Sequence, residues 1–209
     1  MARVLSLLFL LVAALLVLAW FFRSGDLHNA LPAPADSSTS NIASSTWREY
    51  VAPFGQFKVL MPSRPHHATD LVNVPDSKEV RKYEIYLANK DDGTLYSINL
   101  ITFPEDNKEK FDDIFLQKVV TELLTSNANN TIRNMKMVPF RDGKAIEFSV
   151  DTANTALNGK AFLQGKTLYV LSTTSVNKDN LNPQEFDFFI NSFQLGPEVK
   201  ETKIPASNT

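Results

Sequence analysis

"VRKYEIYLANKDDGTLYSINLITF", running from Val80 to Phe103, holds two alternating runs around one turn. Tyr83, Ile85 and Leu87 alternate in the first; Tyr96, Ile98, Leu100 and Thr102 alternate in the second. Successive side chains on a strand point to opposite faces, so each run reads as a strand with one apolar face. Between them, Asn89 to Thr94 carries Asp92-Gly93, which accepts the left-handed backbone a tight hairpin requires. The stretch predicts an antiparallel hairpin.

On the amino-terminal side, "EYVAPFGQFKVLMP" sets Phe57, Val59 and Met61 on one face of a strand that stops at Pro62 and Pro65. The following "RPHHATD" reads as a polar loop. Beyond the hairpin the period changes at Pro104. In "PEDNKEKFDDIFLQKVVTELLTSN", Phe111, Ile114, Phe115, Val119, Leu123 and Leu124 recur at helical spacing. Glu105 and Asp106 suit the positive end of that helix, and the polar run Ser126 to Thr131 ends it.

A strand-rich half follows. Met137 to Phe140 predicts a short strand whose Pro139 confines it to an edge or a bulge. Asp142-Gly143 turns into "KAIEFSVDT", Asn158-Gly159 into "KAFLQ", and Gln164-Gly165-Lys166 into "TLYVLSTTSV", an antiparallel meander. In the closing "NPQEFDFFINSFQLGP", Asn182 is the expected N-cap, Pro183 the first helical residue and Glu185 the capping-box partner. Phe186, Phe189, Ile190 and Phe193 form its apolar face, and Gly196-Pro197 ends it. The expected fold class is α+β: an antiparallel β-sheet packed by two amphipathic helices in the order strands, helix, strands, helix, spanning 47–195, with a frayed tail over 196–209.

The opening "GQFKVLMPSRP" (Gly55 to Pro65) and the closing "EFDFFINSFQL" (Glu185 to Leu195) resemble the corresponding pieces of the PsbP-like fold, the group that includes PsbP and the DcrB-type envelope lipoproteins. The likeness spans roughly residues 47–195. It implies an envelope-attached domain that works by binding, and it carries over no ligand residues. The chain departs from the lipoprotein members because it has no cysteine to lipidate.

Ahead of the domain, Val4 to Phe22 is nineteen residues without a charge, followed at once by Arg23. As a helix it would reach roughly 28 Å, about the thickness of a bilayer's hydrocarbon core. Leu, Val, Ala and Phe cover its whole circumference, and Trp20, Phe21 and Phe22 stand where an aromatic belt would meet the headgroups. The expected reading is an uncleaved transmembrane signal anchor over 1–23, a partner of the membrane through residues 4–22. Its short amino-terminal side would stay cytoplasmic and the bulk of the chain would lie outside. The alternative is cleavage and release of a secreted or periplasmic protein, but the bulky Trp-Phe-Phe-Arg end fits no small-x-small cleavage site. Residues 24–46, rich in Ser, Thr, Ala, Asn and Pro, read as a flexible polar linker holding the domain roughly 25 Å away on average.

Composition narrows the chemistry. The absence of cysteine excludes disulfides, thiol nucleophiles, iron–sulfur clusters and Cys-ligated zinc. Setting Arg3 and Arg23 aside leaves nineteen basic residues against 23 acidic ones, a mildly acidic balance that argues against nucleic acid. No two of the seven glycines have the spacing of a phosphate-cradling loop. His66 and His67 stand near Asp70, but neighbours on an extended chain diverge and converge poorly on one metal ion. No G-x-S-x-G elbow accompanies them.

The acidic pairs Asp91-Asp92, Glu105-Asp106 and Asp112-Asp113 read as a turn, a helix start and a solvated helix face. Phe188 and Tyr86 fall off the main apolar stripes, so each is either core or an exposed anchor. Asn129-Asn130-Thr131 matches a glycosylation sequon, which matters only in a eukaryotic secretory pathway. No catalytic, cofactor-binding or metal residue is assigned. The expected function is a membrane-anchored, extracytoplasmic domain of non-catalytic, accessory kind that binds another envelope protein. The alternatives are a carrier of a small apolar ligand or lipid, suggested by fifteen Phe and five Tyr, and a hydrolase.

An uncleaved anchor predicts that amino-terminal sequencing of mature protein from the membrane fraction finds residues upstream of Arg23. A soluble mature form beginning beyond Arg23 is the contrary result.

Overall fold

The structure is a computed structural model that describes residues 47–74, 79–104 and 110–196. The expected anchor, the linker, the Glu105-Asp106 pair and the tail beyond Gly196 lie outside the described residues. In chain order the strands are β1 (Arg48–Val51), β2 (Phe57–Met61), β3 (His66–Asn73), β4 (Val80–Asn89) and β5 (Leu95–Thr102). Helix α1 (Asp113–Thr125) is followed by β6 (Thr131–Phe140), β7 (Gly143–Asp151), β8 (Ala156–Gln164) and β9 (Thr167–Ser175). Helix α2 (Pro183–Ser192) and the short β10 (Gln194–Leu195) complete it.

This architecture corrects the expected one. A single antiparallel sheet carrying two helices is not what forms: the fold is mostly β, with 53% of the described residues in strands, arranged in two sheets. Seven strands run in the order β3-β4-β5-β9-β8-β7-β6, and three more run β1-β2-β10, every pairing antiparallel. The physical reason lies in β5, whose Tyr96, Ile98 and Leu100 enter one core while Ile101 and, just past its end, Phe103 enter another. A sheet apolar on both faces needs two covers. Helix α1 supplies one, burying Phe115, Leu116, Val119, Val120 and Leu124 against Ile146, Phe148, Val150 and Val170. The other is built jointly by the small sheet (Phe57, Val59, Met61) and α2 (Phe186, Phe189, Ile190).

Several local expectations also change. In β4 the buried set is Glu84, Tyr86 and Ala88, with Tyr83, Ile85 and Leu87 only half-buried on the opposite face. "RPHHATD" is no loop: from His66 on it is the exposed edge strand β3, paired to β4 over its full length. Helix α1 starts later than its periodicity suggests. Asp112 is its N-cap, accepting from the amides of Ile114 and Phe115 at 3.0 and 3.1 Å. Strand β6 extends well before Met137, although Pro139 does sit on an edge strand. Gly196 serves less as a helix stop than as a contact: its amide donates to the Gln56 carbonyl at 2.8 Å, and an added Cβ would overlap the Gly55 carbonyl.

Gly159 is not in a turn either; it lies inside β8, directly opposite Phe148 of β7. The hairpin turn is instead made by Thr152 to Thr155, whose hydroxyls bond each other at 2.8 Å. The Phe148 ring lies over Gly159 where a Cβ would stand. Gly159→Ala is therefore expected to cost about 1–3 kcal/mol by overpacking. Chemical denaturation checks this, and a second substitution, Phe148→Leu, should recover part of the loss.

Candidate functional site

Two carboxylates, one buried and one half-buried, organise polar clusters among the described residues. Glu84 is 6% exposed. It accepts a hydrogen bond from Tyr86 Oη at 3.3 Å, pairs with Lys82 Nζ at 2.7 Å and lies 3.6 Å from His67 Nε2. Lys82, Glu84 and Tyr86 alternate along one face of β4, and register places His67 directly opposite Tyr86. The imidazole stacks on the phenol at 4.3 Å and 6°. Burial, then the charge of Glu84, pushes the Tyr86 hydroxyl well above the usual phenol value, so it stays a hydrogen-bond donor.

Glu185 is the second carboxylate. Its position predicts a capping box with Asn182, and Asn182 does cap α2 by accepting from the amides of Gln184 and Glu185. The Glu185 side chain instead reaches the large sheet, taking hydrogen bonds from Lys90 Nζ at 2.8 Å and Tyr96 Oη at 2.9 Å. Burial, then the bond to Glu185, raises the Tyr96 hydroxyl far above its ordinary value. Burial alone would lower Lys90; its bonds to Glu185 and Asp92 outweigh that and raise it. Both carboxylates are engaged by neighbouring side chains: Glu84 ties β4 to β3 within the sheet, and Glu185 clips α2 onto it.

The surface feature that stands apart is the β1–β2 connection. Pro53 to Gly55 forms a short 3-10 turn in which Phe54 has φ +57° and Gly55 φ +68°. The left-handed region suits glycine, whereas a bulky side chain there is strained by about 1–2 kcal/mol. The Phe54 ring is 88% exposed, and Val51 beside it is 56% exposed.

Arg141 is the only other non-glycine residue with positive φ among those described. It is compensated: its guanidinium lies 5.0, 5.6 and 5.2 Å from the ring centres of Phe140, Phe162 and Phe193 and donates to the Phe193 carbonyl. Phe54 has no such partner among the described residues.

The residues singled out in the sequence scatter. His66 and His67 point to opposite faces of β3, and Asp70 spends Oδ1 on the Leu71 amide at 2.8 Å, so the three do not converge. Asp92 holds the hairpin turn through the Thr94 amide at 2.9 Å. Asp112 caps α1 rather than lying on its solvated face, and Asp113 pairs with Lys144 across to β7. Tyr86 is fully buried, and Phe188 is half-buried edge-on against Trp47 at 5.3 Å. In the sequon, Asn129 is exposed in a turn, while the neighbouring Asn130 side chain donates to the Leu124 carbonyl. Sequence reasoning missed the Phe54 tip; its signal is an aromatic residue wedged between Pro53 and Gly55, where a turn should be polar. No protein-family model matches the chain, and no curated protein matches it.

Tyr86, Tyr96 and Tyr169 all have hydroxyls raised by burial from the ordinary value of 10.0. A raised folded value means the native state keeps protons that the unfolded chain has released, so stability is full below pH 10.0 and falls as pH rises beyond it. Denaturant midpoints taken from about pH 8 to about pH 12 should show that decline. At neutral pH, Glu185→Gln should cost about 2 kcal/mol, the scale of a charge-assisted hydrogen bond.

Proposed function

We propose that this is a non-catalytic accessory domain of the cell envelope, held at the membrane by residues 4–22, and that it binds another envelope protein through the Phe54 tip. One observation carries the reading. The fold tolerates a strained backbone at Phe54 and also leaves an aromatic ring almost wholly in water, and neither helps the isolated domain. A residue that burdens the fold twice is accounted for when a partner buries it, since aromatic side chains anchor protein interfaces. Val51 widens the apolar surface, and the pair Lys58–Glu49, 3.7 Å apart and open to solvent, supplies a polar rim.

The resemblance to PsbP-like envelope domains supports the same reading. The aromatic load that suggests a carrier is engaged in packing: Phe57, Tyr86, Tyr96, Phe189 and Phe193 are each fully buried and touch at least one other ring. That leaves the exposed tip as the better supported mode of binding.

The test separates stability from binding. With a photoreactive side chain at Val51 in the full chain, in-cell crosslinking should give one discrete protein adduct. Phe54→Gly should abolish that adduct while keeping the stability or raising it by up to about 1 kcal/mol. An adduct with lipid alone, no adduct at all, or one indifferent to Phe54→Gly overturns the proposal.

A further inference from the structure

The two edges of the seven-stranded sheet are built by opposite rules. Edge strand β6 carries Arg133, Lys136 and Pro139, and its register breaks between Ile132 and Asn134. Charge, proline and irregularity are the devices that keep a sheet edge from pairing with another chain. Edge strand β3 has fewer of them, its one full charge being Asp70. Its sequence, "HHATDLVN", lacks Lys, Arg and Pro, its pairing with β4 runs unbroken from His66 to Asn73, and seven of its eight residues are exposed.

Which backbone groups β3 presents follows from the ladder. The Val74 amide donates to the Glu79 carbonyl at 2.8 Å, so the even-numbered residues turn their backbone groups toward β4 and the odd-numbered ones turn theirs outward. The Leu71 amide agrees, because its acceptor is the Asp70 side chain and not β4. His67, Thr69 and Leu71 therefore offer a row of donors and acceptors along the outer edge.

We infer that β3 is the site at which a second copy of this chain pairs, antiparallel, about a two-fold axis through Thr69. A two-fold perpendicular to the sheet keeps each face continuous, so only even-to-even and odd-to-odd pairings are allowed. Centring on Asp70 would set two carboxylates face to face. Centring on Ala68 would place Pro65, which has no amide hydrogen, opposite Leu71. Centring on Thr69 keeps the carboxylates apart and moves Pro65 to the end of the pairing, opposite Asn73. It lets His67, Thr69 and Leu71 each donate and accept across the interface, once Asp70 releases the Leu71 amide. It also lays Leu71, 67% exposed, beside the partner's His67, whose ring is held in place by Tyr86. Self-complementarity of this kind favours a second copy over an unrelated strand. The inference does not rest on the Phe54 tip.

The chain has no cysteine, so an introduced one is its sole thiol. In the full chain in membranes, Thr69→Cys should form a disulfide-linked dimer under mild oxidation, and Lys136→Cys on the β6 edge should not. Thr69→Lys places like charges on the axis and should weaken self-association about tenfold by energy transfer between labelled copies. Because Thr69 is exposed, its circular dichroism should match that of the unaltered protein. A Thr69→Cys protein that stays monomeric, or crosslinks only to a different protein, overturns the inference. So does a dimer unaffected by Thr69→Lys.

Discussion

Strand β5 needs cover on both sides, and the layering of the molecule follows from that need. Tyr96, Ile98 and Leu100 face the small sheet and α2, while Ile101 and the following Phe103 face the side of α1. Neither helix could close its own side alone. Helix α1 lies over β7 and β8. Along β5 and β9 the same face also carries a polar pair, Ser97 and Ser172, which are buried, directly opposed and bond each other at 2.6 Å. On the far side, α2 shares the cover with β1, β2 and β10, whose last strand begins two residues after the helix ends. A buried hydroxyl costs little once it is paired, so the sheet can extend past its helical cover without exposing an apolar stripe.

The parts legible in the sequence are those fixed by local chemistry. Asp92-Gly93 makes the predicted turn, Asn182 caps its helix, and Pro139 lies on an edge. The errors share a different cause, which is tertiary choice between locally equivalent options. Both faces of β4 carry enough apolar residues to be the core, and packing against Phe57 and Tyr50 selects the one with Tyr86. Glu84 then becomes buried, an outcome periodicity discounts because a carboxylate marks a strand face as solvated. "HHATD" looks like a loop because an edge strand exposed on nearly all of its length shows no alternation. Gly159 reads as punctuation, whereas the Phe148 ring needs the space its missing side chain leaves.

The candidate site was the least legible part, for a related reason. Signals of chemistry in a sequence are clusters of reactive residue types, and here those residues act as fasteners: Glu84 with Lys82 and Tyr86, Glu185 with Lys90 and Tyr96, Arg141 with three phenylalanines. The Glu185 and Arg141 groups join elements distant in the chain, whereas Glu84 links side chains along β4 itself; breaking a buried one is costly because a charge would be stranded. A single exposed aromatic residue gives no such cluster. Phe54 differs from the other eleven described phenylalanines through its backbone angle and its exposure, neither of which a sequence displays.

The contrast between Phe54 and Arg141 also shows how strain can be weighed. Both hold a left-handed backbone, each at a cost of about 1–2 kcal/mol. At Arg141 the return is internal, because three ring faces and a carbonyl surround the guanidinium and tie the β6–β7 turn to the end of α2. At Phe54 nothing internal offsets it. The β-sheet edges divide the same way: β6 carries charges paired to its neighbour, Arg133 with Asp151 and Lys136 with Glu147, so its protection also serves the fold. Strand β3 leaves its outer row open. The fold thus compensates its strained turn at Arg141 and guards its edge at β6, while at Phe54 and along β3 its own packing leaves the cost standing.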